Sequence, residues 1–241
     1  MKERFTKLLS KDHLDYGDIR FEKNNETDIR YEGNELKDIK ETYREGGHIR
    51  IYDEGSKVYG SFSEVEDAVQ TFGELQKLSS VAGDFQKEKI SLKDSPVIKD
   101  KVKINPQHHP RDISLSDKKD LLKKYNELAL KQDNIINTIF HYKDFNSKRI
   151  FVNSEGTVIE YELLASYIHG AIFAKKGDVV QIKGVSFGGF PEFNNLLNRE
   201  EDLLEKVEIL QKMLAAEPVK AGTYPIIVNP QLAAVLIHEA F

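Results

Sequence analysis

What most constrains the fold of this chain is a period-two alternation that occurs in two blocks, each closed by an amphipathic helix. In the first block Ile19 and Phe21 alternate with Asp18, Arg20 and Glu22, the pattern of a strand with one buried face. Asn24-Asn25, Gly33-Asn34, Gly46-Gly47 and Asp53-Glu54-Gly55 all have turn composition. The block therefore reads as an antiparallel meander of about five strands ending near Phe62. A short helix with Phe5, Leu8 and Leu9 on one side precedes it.

Ser63 followed by Glu66 has the form of a capping box, and Val65, Val69, Phe72 and Leu75 then recur at helical spacing. Periodicity is lost over residues 79–115, which read as a long surface connection. Ser116 then suits the N-cap of a helix from 117 to about 131, with Leu121, Leu122, Tyr125 and Leu128 facing inward. Strands follow at 135–145, 148–152, 157–173 and 179–187. The turns lie at Asn153-Ser154-Glu155-Gly156 and Lys175-Lys176-Gly177-Asp178. A third helix runs from about 199 to 215. Two runs of strands with helices beside them specify an α+β fold, antiparallel meanders forming a sheet covered by helices.

The 241 residues can bury a sizeable core, and the net charge of −5 gives no reason to expect nucleic acid as a partner. There is no cysteine, hence neither a disulfide nor a thiolate ligand within these residues. No apolar run reaches the roughly 20 residues of a membrane-spanning helix, and the N-terminus has no long apolar core. The expected location is cytoplasmic, with no membrane partner.

Chemistry concentrates at the C-terminal end. An apolar strand is expected over 223–228. Asn229 is then a good N-cap and Pro230 suits the first helical position. The helix they start carries Leu232, Val235, Leu236 and then His238-Glu239. A His-Glu pair on a helix opens the zinc-peptidase motifs, in which the His binds metal and the Glu is the general base. A bare pair equally fits a partly buried helix histidine beside a surface carboxylate, since the motif needs a second His. His108-His109 lies in a Pro-bounded loop, and His13, His48, His141 and His169 stand alone in sequence. The glycine clusters at 46–47 and 184–189 match no phosphate-binding loop and read as turns.

Several segments together resemble the TldD/PmbA family, and its TldD-type members more closely. They are Tyr16-Gly17-Asp18-Ile19-Arg20, Gly47-His48-Ile49-Arg50-Ile51-Tyr52, Gly60-Ser61-Phe62 and Val152-Asn153-Ser154-Glu155-Gly156-Thr157. The most specific runs from Ala216-Glu217-Pro218-Val219-Lys220-Ala221-Gly222-Thr223-Tyr224-Pro225 to Leu236-Ile237-His238-Glu239-Ala240-Phe241. The resemblance implies a zinc metallopeptidase with an H-E-x-x-x-H helix that acts on short or unfolded peptides. It makes His238 the first zinc ligand and Glu239 the catalytic base. The second His would fall two positions beyond Phe241, and a cysteine ligand far beyond that. Residues 1–217 would be the N-terminal α+β domain, with 79–115 as its long connection. Residues 218–241 would be the first strand and helix of a truncated catalytic domain. Zn2+ is then expected in the full-length protein and not in these residues, which are expected to be inactive alone. The implied partner is a PmbA-like paralogous subunit or a second copy. The rival reading is a non-catalytic binding or assembly module of such a complex.

Overall fold

The computed structural model describes residues 1–10, 14–53, 55–83 and 96–240. Several of its strands are much longer than the alternation alone suggests, although the one expected over 157–173 has nearly its expected length. β1 (Tyr16–Glu32), β2 (Glu35–Asp53), β5 (Ile135–Asn153) and β6 (Val158–Lys176) each run for 17 or 19 residues. With β3 (Ser56–Phe62), β4 (Lys99–Val102) and β7 (Val179–Gly189) they form one sheet. Among the described residues its order is β3-β2-β1-β5-β6-β4, and β7 pairs with the second part of β6. All pairings are antiparallel except β4 with β6. The α+β expectation holds: a curled antiparallel sheet with helices packed on it.

The length of the strands follows from two separate apolar cores. The first packs Phe5 and Leu9 of α1 (Lys2–Leu9) and Phe72 and Leu75 of α2 (Ala68–Gly83) on Ile19, Phe21, Ile49, Ile51 and Phe62. The second packs Leu122 and Tyr125 of α3 (Leu115–Leu130) and Leu203, Val207 and Leu210 of α4 (Glu200–Ala215) on Ile29, Tyr31, Phe140, Ile168 and Ile172. β1 supplies Ile19 and Phe21 to one core and Ile29 and Tyr31 to the other. Its polar middle, including Asn24-Asn25, spans the interval between them. That interval is what resembles a turn in the sequence, yet Asn24 and Asn25 stay in register with both β2 and β5. The expected break between 145 and 148 fails for the same reason, because Asn146 and Ser147 are paired residues of β5.

Gly46-Gly47 is likewise no turn but mid-strand in β2. A Cβ on Gly47 would lie 2.1 Å from Cζ of Phe62, its cross-strand partner, so the missing side chain makes room for the ring. The true turns are Gly33-Asn34, with Gly33 at φ 55°, the segment at Gly55, Ser154 to Gly156 before Thr157, and Gly177-Asp178. Two long strands and a third of seven residues thus replace the expected five of the first block.

Helix starts differ in detail. The Ser63–Glu66 capping box does not form. A 3-10 turn over Val65–Asp67 leads into α2, and Glu66 turns toward Arg4, with its carboxylate 3.4 Å from the guanidinium. Val69 faces solvent instead of the core. α2 runs on to Gly83, five residues into the expected connection, because Ser79 is buried with its hydroxyl 2.7 Å from that of Ser56. The remainder of that connection contains β4, and residues 84–95 lie outside the described residues, as do His13 and Phe241. Ser114, not Ser116, caps α3, its hydroxyl accepting from the Asp117 amide at 3.1 Å. Tyr125 closes the second core: its hydroxyl donates to the Leu196 carbonyl and accepts from the Arg199 amide.

Candidate functional site

His238 and Glu239 stand near the end of α5 (Pro230–Ala240), whose start is set as the sequence requires: the Asn229 carboxamide accepts from the Leu232 amide at 2.8 Å. The residues before it do not form the expected strand. From 223 to 229 the backbone has no ladder partner among the described residues, and without one an extended segment remains unpaired. Ile226 and Ile227 are 77% and 102% exposed, and α5 buries no residue. His238 and Glu239 are therefore solvent-facing, and their side chains make no hydrogen bond or ion pair to another described residue. Among the described residues no group of three His, Asp or Glu side chains is placed to hold a metal ion. One imidazole and one carboxylate do not make a zinc site, which needs three or four protein ligands.

Apart from His48, whose ring lies 5.7 Å from that of Tyr59, the other described histidines separate into two kinds. His108 and His109 serve the backbone and neighbouring side chains. Nδ1 of His109 accepts from the Arg111 amide, capping a 3-10 turn, and Nδ1 of His108 lies 2.7 Å from the Asn194 amide nitrogen. His141 and His169, 28 positions apart in sequence, are cross-strand partners on β5 and β6. Their rings stack at 5.3 Å between centroids and 12° between planes. Nδ1 of His141 is 3.0 Å from Asp28, whose other oxygen is 3.1 Å from the Lys143 ammonium. Partial burial holds the pKa of His169 below its ordinary value, and His141 and Lys143 push it the same way. Asp28 is held low as well: its partial burial acts upward, but the hydrogen bonds from His141 and Lys143 outweigh it. This cluster was not legible in the sequence, because strand register is what creates it.

A second ionic group missed by sequence lies under α3. Nζ of Lys118 is 2.6 Å from Asp144, both side chains being about 5% exposed, and the Tyr142 hydroxyl donates to the same carboxylate at 2.6 Å. Burial, then the neighbouring Asp144 charge, pushes the Tyr142 phenol far above its usual range. In the sequence the lysine-rich stretch 118–124, matched by acids, reads as a solvated face, and the burial of Lys118 corrects that reading. A third is at the top of β1, where Asp18, 1% exposed, accepts from Arg50 Nε at 2.8 Å.

Comparison with known proteins gives this arrangement a family. The PmbA/TldA metallopeptidase domain 1 profile matches residues 17–79, and the PmbA/TldA metallopeptidase central domain profile matches residues 108–209. A metalloprotease of Synechocystis sp. is 29% identical over 230 residues, covering 94% of this chain and 49% of the relative. A metalloprotease of Methanocaldococcus jannaschii is 27% identical over 242 residues, covering 99% of this chain and 52% of the relative. The crystal structure of a putative modulator of DNA gyrase from Bacteroides thetaiotaomicron superposes with a TM-score of 0.75 at 13% identity. It covers 99% of this chain and 55% of that one, a likeness of fold. The chain thus spans about half the length of the curated relatives it matches. Its two profile matches fall on the two halves of the sheet, in chain order, and the chain belongs to the TldD/PmbA metallopeptidase family.

Proposed function

We propose that these residues are the N-terminal portion of a TldD-type zinc metallopeptidase that hydrolyses peptide bonds in short or unfolded peptides. The carrying observation is that curated metalloproteases match nearly the whole chain, at 27% to 29% identity. In this reading His238 is the first zinc ligand and Glu239 the general base, and the remaining ligands lie beyond Phe241. Zinc, once fully ligated, supplies a water acidic enough to attack at neutral pH. Residues 1–217 form the substrate-cleft wall and part of an interface with a PmbA-like subunit or a second copy. Residues 218–241 begin the catalytic domain, and the working complex is cytoplasmic. The 241 residues alone would hold no stoichiometric zinc and cleave no peptide.

The test is made on a chain extended by the downstream half that the relatives possess. Glu239→Gln there abolishes peptide cleavage while zinc, measured by metal analysis, stays bound. Full activity in that variant removes Glu239 from the base role and with it the assignment of this helix.

A further inference from the structure

β2 has a strand on both sides only over its last residues. β3 stops at Phe62, opposite Gly47, so from Glu35 to Gly46 the outer edge of β2 has no ladder partner among the described residues. Residues 35–41 are all exposed, whichever face of the sheet they point to. Leu36 is 42%, Ile39 38% and Tyr43 56% exposed. Ile39 is the cross-strand partner of Ile29, which is fully buried in the second core, so an apolar row covered on β1 emerges into solvent on β2. An open edge that carries an apolar row is a template for one more strand.

The charges along this edge choose the strand that fits. Asp38, Lys40 and Glu41 form no ion pair among the described residues. Two copies of one edge pair antiparallel about a two-fold axis, and because opposite residues must share a face, the axis passes through a residue. β2 is regular from Asp38 onward, past the bulge at Lys37. An axis at Asp38, Lys40, Glu41, Arg44 or Glu45 sets that charge against itself. At Thr42 it opposes Lys40 to Arg44, at Tyr43 it opposes Glu41 to Glu45, and at Gly46 it needs edge positions that β3 already fills. At Ile39 no like charges meet. There Asp38 faces Lys40, Lys37 comes opposite Glu41, and both pairs recur across the axis about a central contact of the two Ile39 side chains. Opposite charges and apolar pairs across strands each stabilise by about 0.2–1 kcal/mol, whereas like charges directly opposite destabilise.

We propose that the open edge of β2 pairs antiparallel with the same edge of a second copy of the chain, centred on Ile39, so that the sheet continues across the two-fold axis. Lys37 and Lys40 disfavour pairing with an ordinary apolar strand, yet in this register both meet a carboxylate. The same residues thus attract one partner and repel others. So few residue pairs bury less than the roughly 1,200 Å2 of a stable interface, and the dimer is a weak one. The proposal locates the contact with a second copy on one strand edge, and it holds or fails independently of zinc and catalysis.

Sedimentation equilibrium of the 241-residue chain tests this. A monomer–dimer equilibrium is expected between about 10 and 500 μM. Asp38→Lys sets lysine against lysine at both symmetry-related positions, and Lys40→Asp sets aspartate against aspartate, so each should weaken dimerisation about tenfold or more. Both residues are exposed, and circular dichroism should show the fold kept. An equimolar mixture of the two variants should recover the dimer, because the Asp38→Lys chain meets the Lys40→Asp chain with opposite charges at both positions. A contact elsewhere, through the exposed α5 for example, does not produce that recovery. A chain that stays monomeric throughout, its edge left to a partner of different sequence, overturns the proposal. So do variants that associate as the unaltered chain does, or a mixture no better than its components. Each of these results leaves the metallopeptidase reading standing, because that is tested by cleavage and metal content in Glu239→Gln.

Discussion

The ring of Phe62 on β3 occupies the space directly over Gly47 on β2, with Cζ 2.1 Å from where a Gly47 Cβ would sit. Phe62 is 6% exposed and stacks on Phe21, so it cannot swing away without opening the first core. Gly47→Ala is accordingly expected to destabilise the fold by about 1–3 kcal/mol, the usual cost of overpacking. Chemical denaturation measures it. A neutral effect would mean that the ring has another place to go.

Removing one member of the buried pair should cost more than removing both. Lys118→Met leaves Asp144 charged in a nearly dry site and is expected to cost about 3–5 kcal/mol. The double variant Lys118→Met, Asp144→Leu should recover most of that loss, although Tyr142 then needs another acceptor. Equal losses in the single and double variants would contradict the pairing.

Stability should fall as the medium is acidified through the histidine range. The pKa of His169 is lowered in the folded state, so between that value and the ordinary value of about 6.5 the unfolded chain binds more protons. The contribution of His169 is whole above about pH 6.5 and declines below it, levelling off once pH passes the folded value. His169→Gln should flatten that part of the stability profile. Asp28, also lowered, contributes stability that is present above about pH 4 and lost on further acidification. A profile unchanged by His169→Gln would rule out the stacked imidazoles as its source.

Hydrogen exchange should divide the helices sharply. α4 buries Leu203, Val207, Leu210 and Leu214, whereas α5 buries nothing. Amides of α5 are expected to exchange close to the rate of unprotected peptide, and those of α4 only through global opening. Strong protection over Val235 to Ala240 would show that α5 docks on something in solution.

The sequence disclosed the fold class, the helices and most true turns, because those depend on local pattern. Ile19 and Phe21, or Leu203 and Val207, declare their buried faces by spacing alone. It misplaced strand ends where a long strand crosses from one core to the next: Asn24-Asn25 looks like a turn because no apolar neighbour lies above it. Gly46-Gly47 has turn composition for a reason that only Phe62, on another strand, supplies. β4, with all four residues exposed, has no alternation to detect. Of the candidate chemistry, His238-Glu239 was visible because a motif is contiguous. The His141–His169 stack and the Lys118–Asp144 pair were not, since each exists only once register or helix docking is fixed.

The continuity of β1 through both cores also bears on how the molecule can be dissected. One of its edges is fully used by β2 and the other by β5 from Asp18 to Glu32. An excised piece covering residues 17–79 would bare that second edge over nearly its whole length, a long unpaired template of the kind that draws chains into aggregates. Residues 108–209 cut out alone would bare the matching edge of β5. Two pieces divided within residues 84–95, expressed together, would instead each present the strand the other lacks. The protein is thus better suited to being split and reassembled than to being trimmed to a minimal domain.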